Sequence, residues 1–369
     1  MGQAVPRPGA LTIDSFPYAV IDFETTGYSP ERGDRVVEVA VIRMTSKGEV
    51  VNEYTTLVNP GRDTGPVFIH DIATKDVTEA PPFGEIIGDL IPLLRGSVLV
   101  AHNVKYDSAF LAAEFAIAGY PLPNIPTLCT LSLSYMLHTE ALHHKLLDCC
   151  KCEGIPFEET HNALSDARAT SQLLLAYFGV ARKRRVVELR ALACKNIGSP
   201  GRDWPDLGAS GHVLPRSPMA RPQPPDLPYL TRLIARLSGH GVANPDVGAY
   251  ADLLDHVLQD RRVTANEAEG LLETAQRYGL NRAQALELHV NYLAQLIEVA
   301  LADGVVSEAE QADLETVCAL LGLTPSTLDA FLAEGRVQQN APLIEEPGVS
   351  ARSVGASPPK PAGGGSRRT

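Results

Sequence analysis

Along the first half of the chain the apolar positions change period several times, and each change marks an element. Residues 18–22 and 36–44 are short runs rich in β-branched side chains, and 53–58 alternates as a strand does. Lys47 and Gly48 lie between the last two runs and predict a hairpin. The spacing turns helical over 83–94, a buried strand follows at 98–101, and the next helix is expected over 108–118. Further helical stretches fall at 130–137, 145–152 and 163–178. Strands first, then alternating helix and strand, predict an α/β mixed sheet flanked by helices.

Beyond residue 228 the pattern is helical throughout, and it repeats. Asp260, Val263, Thr264, Glu267, Leu271, Gly279 and Leu280 return 43 positions later as Asp303, Val306, Ser307, Glu310, Leu314, Gly322 and Leu323. A constant displacement over seven positions predicts two related helical units packed together, an all-α second domain. Thr264 and Ser307 precede Glu267 and Glu310 by three residues, the spacing of a capping box.

Length and charge refine this division. At 369 residues the chain exceeds one ordinary domain, and its formal charge of -12 argues mildly against a nucleic-acid binder. The charge is blocky, however: residues 180–225 carry nine basic and three acidic side chains between two acidic segments. That block, rich in Pro and Gly, reads as linker. The expected organisation is a flexible N-terminus (1–14), an α/β domain (15–179), a basic linker (180–228), a helical domain with the internal repeat (229–335) and a disordered tail (336–369). No apolar run approaches a membrane span, and the first residues lack a secretory or myristoyl signal. Six cysteines without framework spacing suggest a reducing, cytoplasmic setting.

Three short strings carry chemistry. In the first, at the end of the first strand, Asp22 and Glu24 are two apart and therefore face the same side, with Thr25, Thr26 and Gly27 following. Adjacent carboxylates repel, so a divalent cation between them accounts for their pairing, with a solvated strand edge as the alternative. The second is His102-Asn-Val-Lys-Tyr-Asp107 after the strand at 98–101, where Asp107 could also serve as a helix N-cap. The third is His161-Asn-Ala-Leu-Ser-Asp166 before an apolar helix, where Asn162 or Ser165 could cap.

In this order the strings resemble the three motifs of the DEDDh (DnaQ-like) 3'-5' exonucleases, and they are most similar to the epsilon type of bacterial DNA polymerase III. The resemblance covers roughly residues 15–178 and implies a ribonuclease H-like fold. It further implies that Asp22, Glu24, Asp107 and Asp166 hold two Mg2+ or Mn2+ ions, with Asp22 bridging them and His161 as general base. Thr25, Thr26, Gly27 and Asn103 become candidate contacts for the terminal nucleotide. Tyr28 and Tyr106 stand where Leu and Phe are more usual, and both keep bulk. The implied partners are single-stranded or frayed DNA 3' ends, with nucleoside 5'-monophosphates released. RNA trimming is the rival within enzymes, and a non-catalytic DNA-end or replisome adaptor is the rival outside them. A polymerase partner has no recognisable binding motif here. Cations bound by the acids would reverse the local sign, which answers the charge objection, and Arg182, Lys183, Arg184 and Arg185 could add a contact to the strand.

The helical repeat resembles TerB-like tellurite-resistance domains over roughly 229–334, in Ala302-Asp-Gly-Val-Val-Ser-Glu-Ala-Glu310 and Leu320-Leu-Gly-Leu323. That resemblance makes Asp260, Glu267, Asp303 and Glu310 candidates for an additional cation, against the capping alternative. His289 reads as a packed residue. Cys149, Cys150 and Cys152 near His143 and His144 lack the second pair that a zinc site needs and read as a packed helix face.

Overall fold

A computed structural model describes residues 10–65, 67–138, 144–157, 161–196, 204–216, 244–259, 271, 274–301 and 306–339. Its first half is a five-stranded mixed sheet in the order β3-β2-β1-β4-β5. The strands are β1 (Tyr18–Thr25), β2 (Val36–Met44), β3 (Val50–Leu57), β4 (Val98–Ala101) and β5 (Thr127–Cys129). β1 pairs antiparallel with β2 and parallel with β4, and β2 pairs antiparallel with β3 through the hairpin expected at Lys47 and Gly48. This is a mixed sheet flanked by helices, as the sequence predicts.

Six helices accompany the sheet: α1 (Val67–His70), α2 (Phe83–Leu94), α3 (Val104–Ile117), α4 (Thr130–Leu137), α5 (Leu146–Glu153) and α6 (Ala163–Arg184). The period-two rule assigns their places. On β1, Ala19, Ile21 and Phe23 join Phe83, Ile87, Phe110 and Phe115 of α2 and α3. Tyr18 and Val20 join Ala167, Leu174 and Phe178 of α6 on the opposite face. Continuing the alternation puts Asp22 and Glu24 on the α6 face, where the buried apolar row of β1 gives way to carboxylates. On β2, Ala40, Ile42 and Met44 share that face, so Glu38 does too.

Several boundaries differ from expectation for local reasons. Helix α3 begins at Val104 rather than 108, because Asn103 takes a left-handed conformation (φ 79°) and serves as its N-cap. Asp107 therefore lies within the first turn and is not the cap. Helix α6 runs on to Arg184, so Arg182, Lys183 and Arg184 are helical and Arg185 is its C-cap. Arg182 pairs with Asp14 at 2.8 Å, and Arg184 donates to the Leu137 carbonyl at 2.7 Å.

The segment read as linker also carries core residues. Leu189, Leu192 and Cys194 are buried against the α6 face. Trp204 packs edge-on to Phe115 with ring centroids 6.2 Å apart. Farther on, Leu57 donates its backbone N–H to the Leu214 carbonyl at 2.8 Å, and Ser210 and Gly211 are tied to Asp89. A Pro- and Gly-rich composition conceals this packing because a few anchors, spaced along extended backbone, suffice to hold it.

The helical half contains helices Pro245–Gln259, Arg282–Ala300, Glu308–Leu320 and Pro325–Gln339 among the described residues. Its repeat is visible in the backbone. Gly279 and Gly322 both take positive φ (77° and 68°) at helix ends, and the N–H groups of Leu280 and Leu323 each reach back to the carbonyl five residues earlier at 3.0 Å. Leu271 and Leu314 are both fully buried. His289 is buried as well, between the Tyr250 hydroxyl (2.8 Å) and the Leu321 carbonyl (2.8 Å). No helix among the described residues is long and apolar enough to cross a membrane.

Candidate active site

At the carboxyl end of β1, Asp22, Glu24 and Asp166 each offer a carboxylate oxygen, and these atoms lie within 4.8 Å of one another. Among the described residues they are the group of His, Cys, Asp or Glu side chains so arranged. Two elements create it. β1 presents Asp22 and Glu24 on one face, and α6 delivers Asp166 in its first turn. The start of α6 is fixed by Asn162, whose side chain accepts from the Ser165 N–H at 3.0 Å, so the expected cap at Asn162 is present.

Asp107 stands outside that group of three, though its charge acts on both Asp22 and Glu24. Only 4% exposed, it accepts a backbone hydrogen bond from Phe23, which ties the first turn of α3 to β1. Burial raises Asp22 well above the usual carboxylate range, and the charges of Asp166, Asp107 and Glu24 raise it further. Glu24 is raised for the same first reason, with Asp166 and Glu38 adding to it and Arg216 opposing. Asp107 is pushed up to about 8, chiefly by burial. Carboxylates this crowded gain from positive charge, and their hard oxygen donors suit a divalent cation of the Mg2+ or Mn2+ type.

His161 precedes Asn162, half-buried and in a left-handed conformation (φ 44°). Its backbone carbonyl accepts from the Arg216 guanidinium at 3.0 Å. His102, from the second string, has a different part. Its ring is held between the Thr130 hydroxyl (3.0 Å) and the His144 carbonyl (2.9 Å), and burial pushes its pKa down to about 4. It is a neutral brace joining β4 to the segment before α5.

The candidate nucleotide contacts divide. The Thr25 hydroxyl donates to the Gly27 carbonyl at 2.6 Å and lies 2.6 Å from the Tyr106 hydroxyl, which itself reaches Gly27 at 2.9 Å. Thr25, Gly27 and Tyr106 therefore form one braced turn. Thr26 faces away from it: its hydroxyl donates to Asp34 at 3.3 Å and accepts from the Arg35 N–H at 3.1 Å. A Cβ at Gly27 would meet the Asp34 carboxylate at 2.5 Å, so a larger residue there would have to displace that side chain. Asn103 donates its side-chain amide to the Tyr278 hydroxyl of the helical half at 2.9 Å.

The helical half meets this same rim at several points. Tyr28 and Leu131 are buried within its hydrophobic core. Lys105 pairs with Asp246 at 2.8 Å and lies over the Tyr278 ring, 5.3 Å from its centroid. Arg277 pairs with Glu31, and Lys145 with Asp255. A cavity of about 490 Å³ opens between α3, β5 and helix Pro245–Gln259, with Asn103, Lys105, Asn124 and Lys195 in its lining.

Of the second-domain candidates, Glu310 forms a capping box with Ser307, its carboxylate accepting from the Ser307 N–H at 2.8 Å. Asp260, Glu267 and Asp303 lie outside the described residues. Cys149 and Cys150 are buried, and burial raises them to about 11 and about 12. Two site neighbours escaped the sequence reading: Glu38, noted only within a strand, and Arg216. The alternation of β2 could have revealed the first, and no local signal marks the second.

Comparison with known proteins finds two family matches along the chain. Residues 19–174 match the exonuclease family RNase_T, and residues 251–333 match the tellurite resistance protein TerB family. The chain is thus similar to RNase_T exonucleases over its first half and to TerB proteins over its second. A relative described as 3'-5' exonuclease DinG, from Bacillus subtilis, is 30% identical over 161 residues, 43% of this chain and 17% of that protein. A DNA polymerase III subunit epsilon-like protein of Rhodobacter capsulatus is 32% identical over 202 residues, 53% of this chain and 28% of its own length. The chain thus spans less than a third of either relative. Among solved structures, Exonuclease X in complex with 5' overhanging duplex DNA aligns with 25% identity and a TM-score of 0.37, over 48% of this chain and 98% of that one.

Proposed function

We propose that the protein is a divalent-cation-dependent 3'-5' exonuclease that removes nucleoside 5'-monophosphates from single-stranded or frayed DNA 3' ends. The observation that carries this reading is the meeting of the Asp22, Glu24 and Asp166 oxygens within 4.8 Å, in a domain of the exonuclease family. The names of the relatives, a 3'-5' exonuclease and an epsilon-like subunit of a DNA polymerase, favour the 3' direction and DNA. Repair, proofreading or end processing in the cytoplasm accords with six free thiols.

In this reading Asp22, Glu24, Asp107 and Asp166 hold two Mg2+ or Mn2+ ions. Once bound, such ions supply Lewis-acid stabilisation of the phosphate oxygens and lower the pKa of water. His161 takes the proton of the attacking water as its oxygen bonds to phosphorus, and the P–O3' bond breaks. The departing 3'-oxygen acquires a proton and remains with the shortened strand. The braced turn of Thr25, Gly27 and Tyr106 supports the terminal nucleotide from beneath, and Asn103 stands at its edge.

The test is a 5'-labelled DNA oligonucleotide and its RNA counterpart, incubated with Mg2+ or Mn2+. A cation-dependent ladder on DNA that Asp22→Ala abolishes is expected. A ladder on RNA alone would transfer the reading to RNA trimming, and no ladder on either would sink it.

A further inference from the structure

Arg216 lies 42 residues beyond the exonuclease-family match, yet its guanidinium makes three contacts beside the acidic site. Its Nη1 donates to the His161 carbonyl at 3.0 Å and to Glu38 Oε2 at 3.2 Å, and its Nη2 donates to the His70 carbonyl. Arg216 is 18% exposed and Glu38 1%. The planar fork is suited to bridging several fixed acceptors at once, which a lysine ammonium cannot reproduce.

Glu38 extends the arrangement in two directions. Across the strand pair it stands directly opposite Glu24. Toward α6, its Oε2 accepts from the Ala163 N–H at 3.3 Å and its Oε1 from the Asn162 side-chain amide at 3.4 Å. Thus Arg216 and Glu38 grip the 161–163 loop from both sides, one holding the carbonyl of His161 and the other the two residues after it. The loop needs such a grip, because His161 has φ 44°, a conformation that costs a non-glycine residue about 1 kcal/mol or more.

The approach of Arg216 is itself anchored. Leu214, two residues earlier, bonds β3 in both directions: its carbonyl accepts from Leu57, and its N–H donates to the Thr56 hydroxyl at 2.8 Å. Upstream, a Cβ on Gly88 would meet the Gly208 carbonyl at 2.0 Å, so the segment lies hard against α2. We infer that residues 204–216 are a strap belonging to the nuclease and that Arg216 is a positioning residue, fixing the His161 loop relative to the carboxylates. This inference rests on the exonuclease reading for its consequence, since a fixed His161 matters where it serves as the base.

The strap is tested in the full chain by Arg216→Ala, Arg216→Lys and the pair Glu38→Gln with Arg216→Ala. A misplaced base costs up to roughly 100-fold in rate. Arg216→Ala is therefore expected to lower kcat by about 10- to 100-fold with KM for a single-stranded oligonucleotide within about twofold, and Arg216→Lys to recover little. The double variant removes the unpaired buried carboxylate, so it keeps the fold while kcat stays low. Recovery of kcat in the double variant would overturn the inference, because Arg216 would then serve only to neutralise Glu38. A second readout is independent of turnover. In protein labelled with 13C-histidine, the His161 ring resonance, assigned by its loss in His161→Gln, should move or split in the double variant. An unchanged resonance overturns the strap even if cleavage occurs. Absence of cleavage by wild type, with a shifted resonance, overturns the exonuclease reading and leaves the strap standing.

Discussion

Asn103 and Tyr278 meet through a 2.9 Å hydrogen bond that joins the N-cap of α3 to the helical half. The side chain of Asn103 makes no capping bond to its own helix. Its amide is directed to the second domain instead, at the rim of the acidic site. The helical half thus contacts the start of α3 directly, through Tyr278 on Asn103 and Asp246 on Lys105.

Removing that hydroxyl should be measurable. Tyr278→Phe keeps the ring beneath Lys105 and leaves the Asn103 amide without this partner, at a cost of about 1 kcal/mol. A fall of that size in urea-induced unfolding of the full chain, with a changed KM for oligonucleotides, is the expected result. An unchanged KM would separate Asn103 from substrate binding.

Asp22 should show activity and stability pulling apart. The Asp22→Asn variant is expected to lose about 10²- to 10³-fold of the activity, as does removal of a key electrostatic group in other enzymes. In cation-free buffer it should melt higher than wild type, because it relieves repulsion from Asp166, Asp107 and Glu24. Paired cleavage assays and thermal melts with EDTA check both halves.

The pH dependence follows from Asp107. Its pKa rises from 3.8 to about 8 on folding, so between those limits the folded chain binds more protons than the unfolded one. Stability without cations is therefore greatest in acid and declines as pH rises through about 8. Saturating Mg2+ or Mn2+ should flatten or reverse that decline, since cations replace the protons. Melting temperatures from pH 5 to 9, with and without cation, would expose a wrong sign at once.

Glu114 tests the scaffold under the site. It pairs with Arg35 through two bonds of 2.8 Å and accepts from the Val36 N–H at 3.0 Å, while only 2% exposed. Truncation in Glu114→Ala strands the guanidinium and the N–H group, a loss of roughly 3–5 kcal/mol for a buried pair. Chemical denaturation should show it, and a loss under 1 kcal/mol would mean that water replaces the carboxylate.

The sequence made the site more legible than its supports. Asp22 and Glu24 follow from strand alternation, and Asn162 from the capping preference, because both rules are local. Asp107 was harder to place, since the left-handed Asn103 starts α3 four residues before the apolar spacing does. The three residues of β5 are too few to show a period. Arg216 was illegible for a different reason: its partner Glu38 is 178 positions away, and its surroundings read as linker. Among the described residues there Trp204 is the aromatic anchor, and a single aromatic carries no periodicity.

The 43-residue repeat has a consequence for how the two halves came to fit. Tyr278 has Leu321 as its counterpart in the second unit, and both precede a left-handed glycine at a helix end. Leu321 stays inside, its carbonyl held by His289, whereas Tyr278 sends its hydroxyl outward to Asn103. One copy of the repeated position thus bonds to the other half of the chain, while its counterpart bonds within the helical bundle.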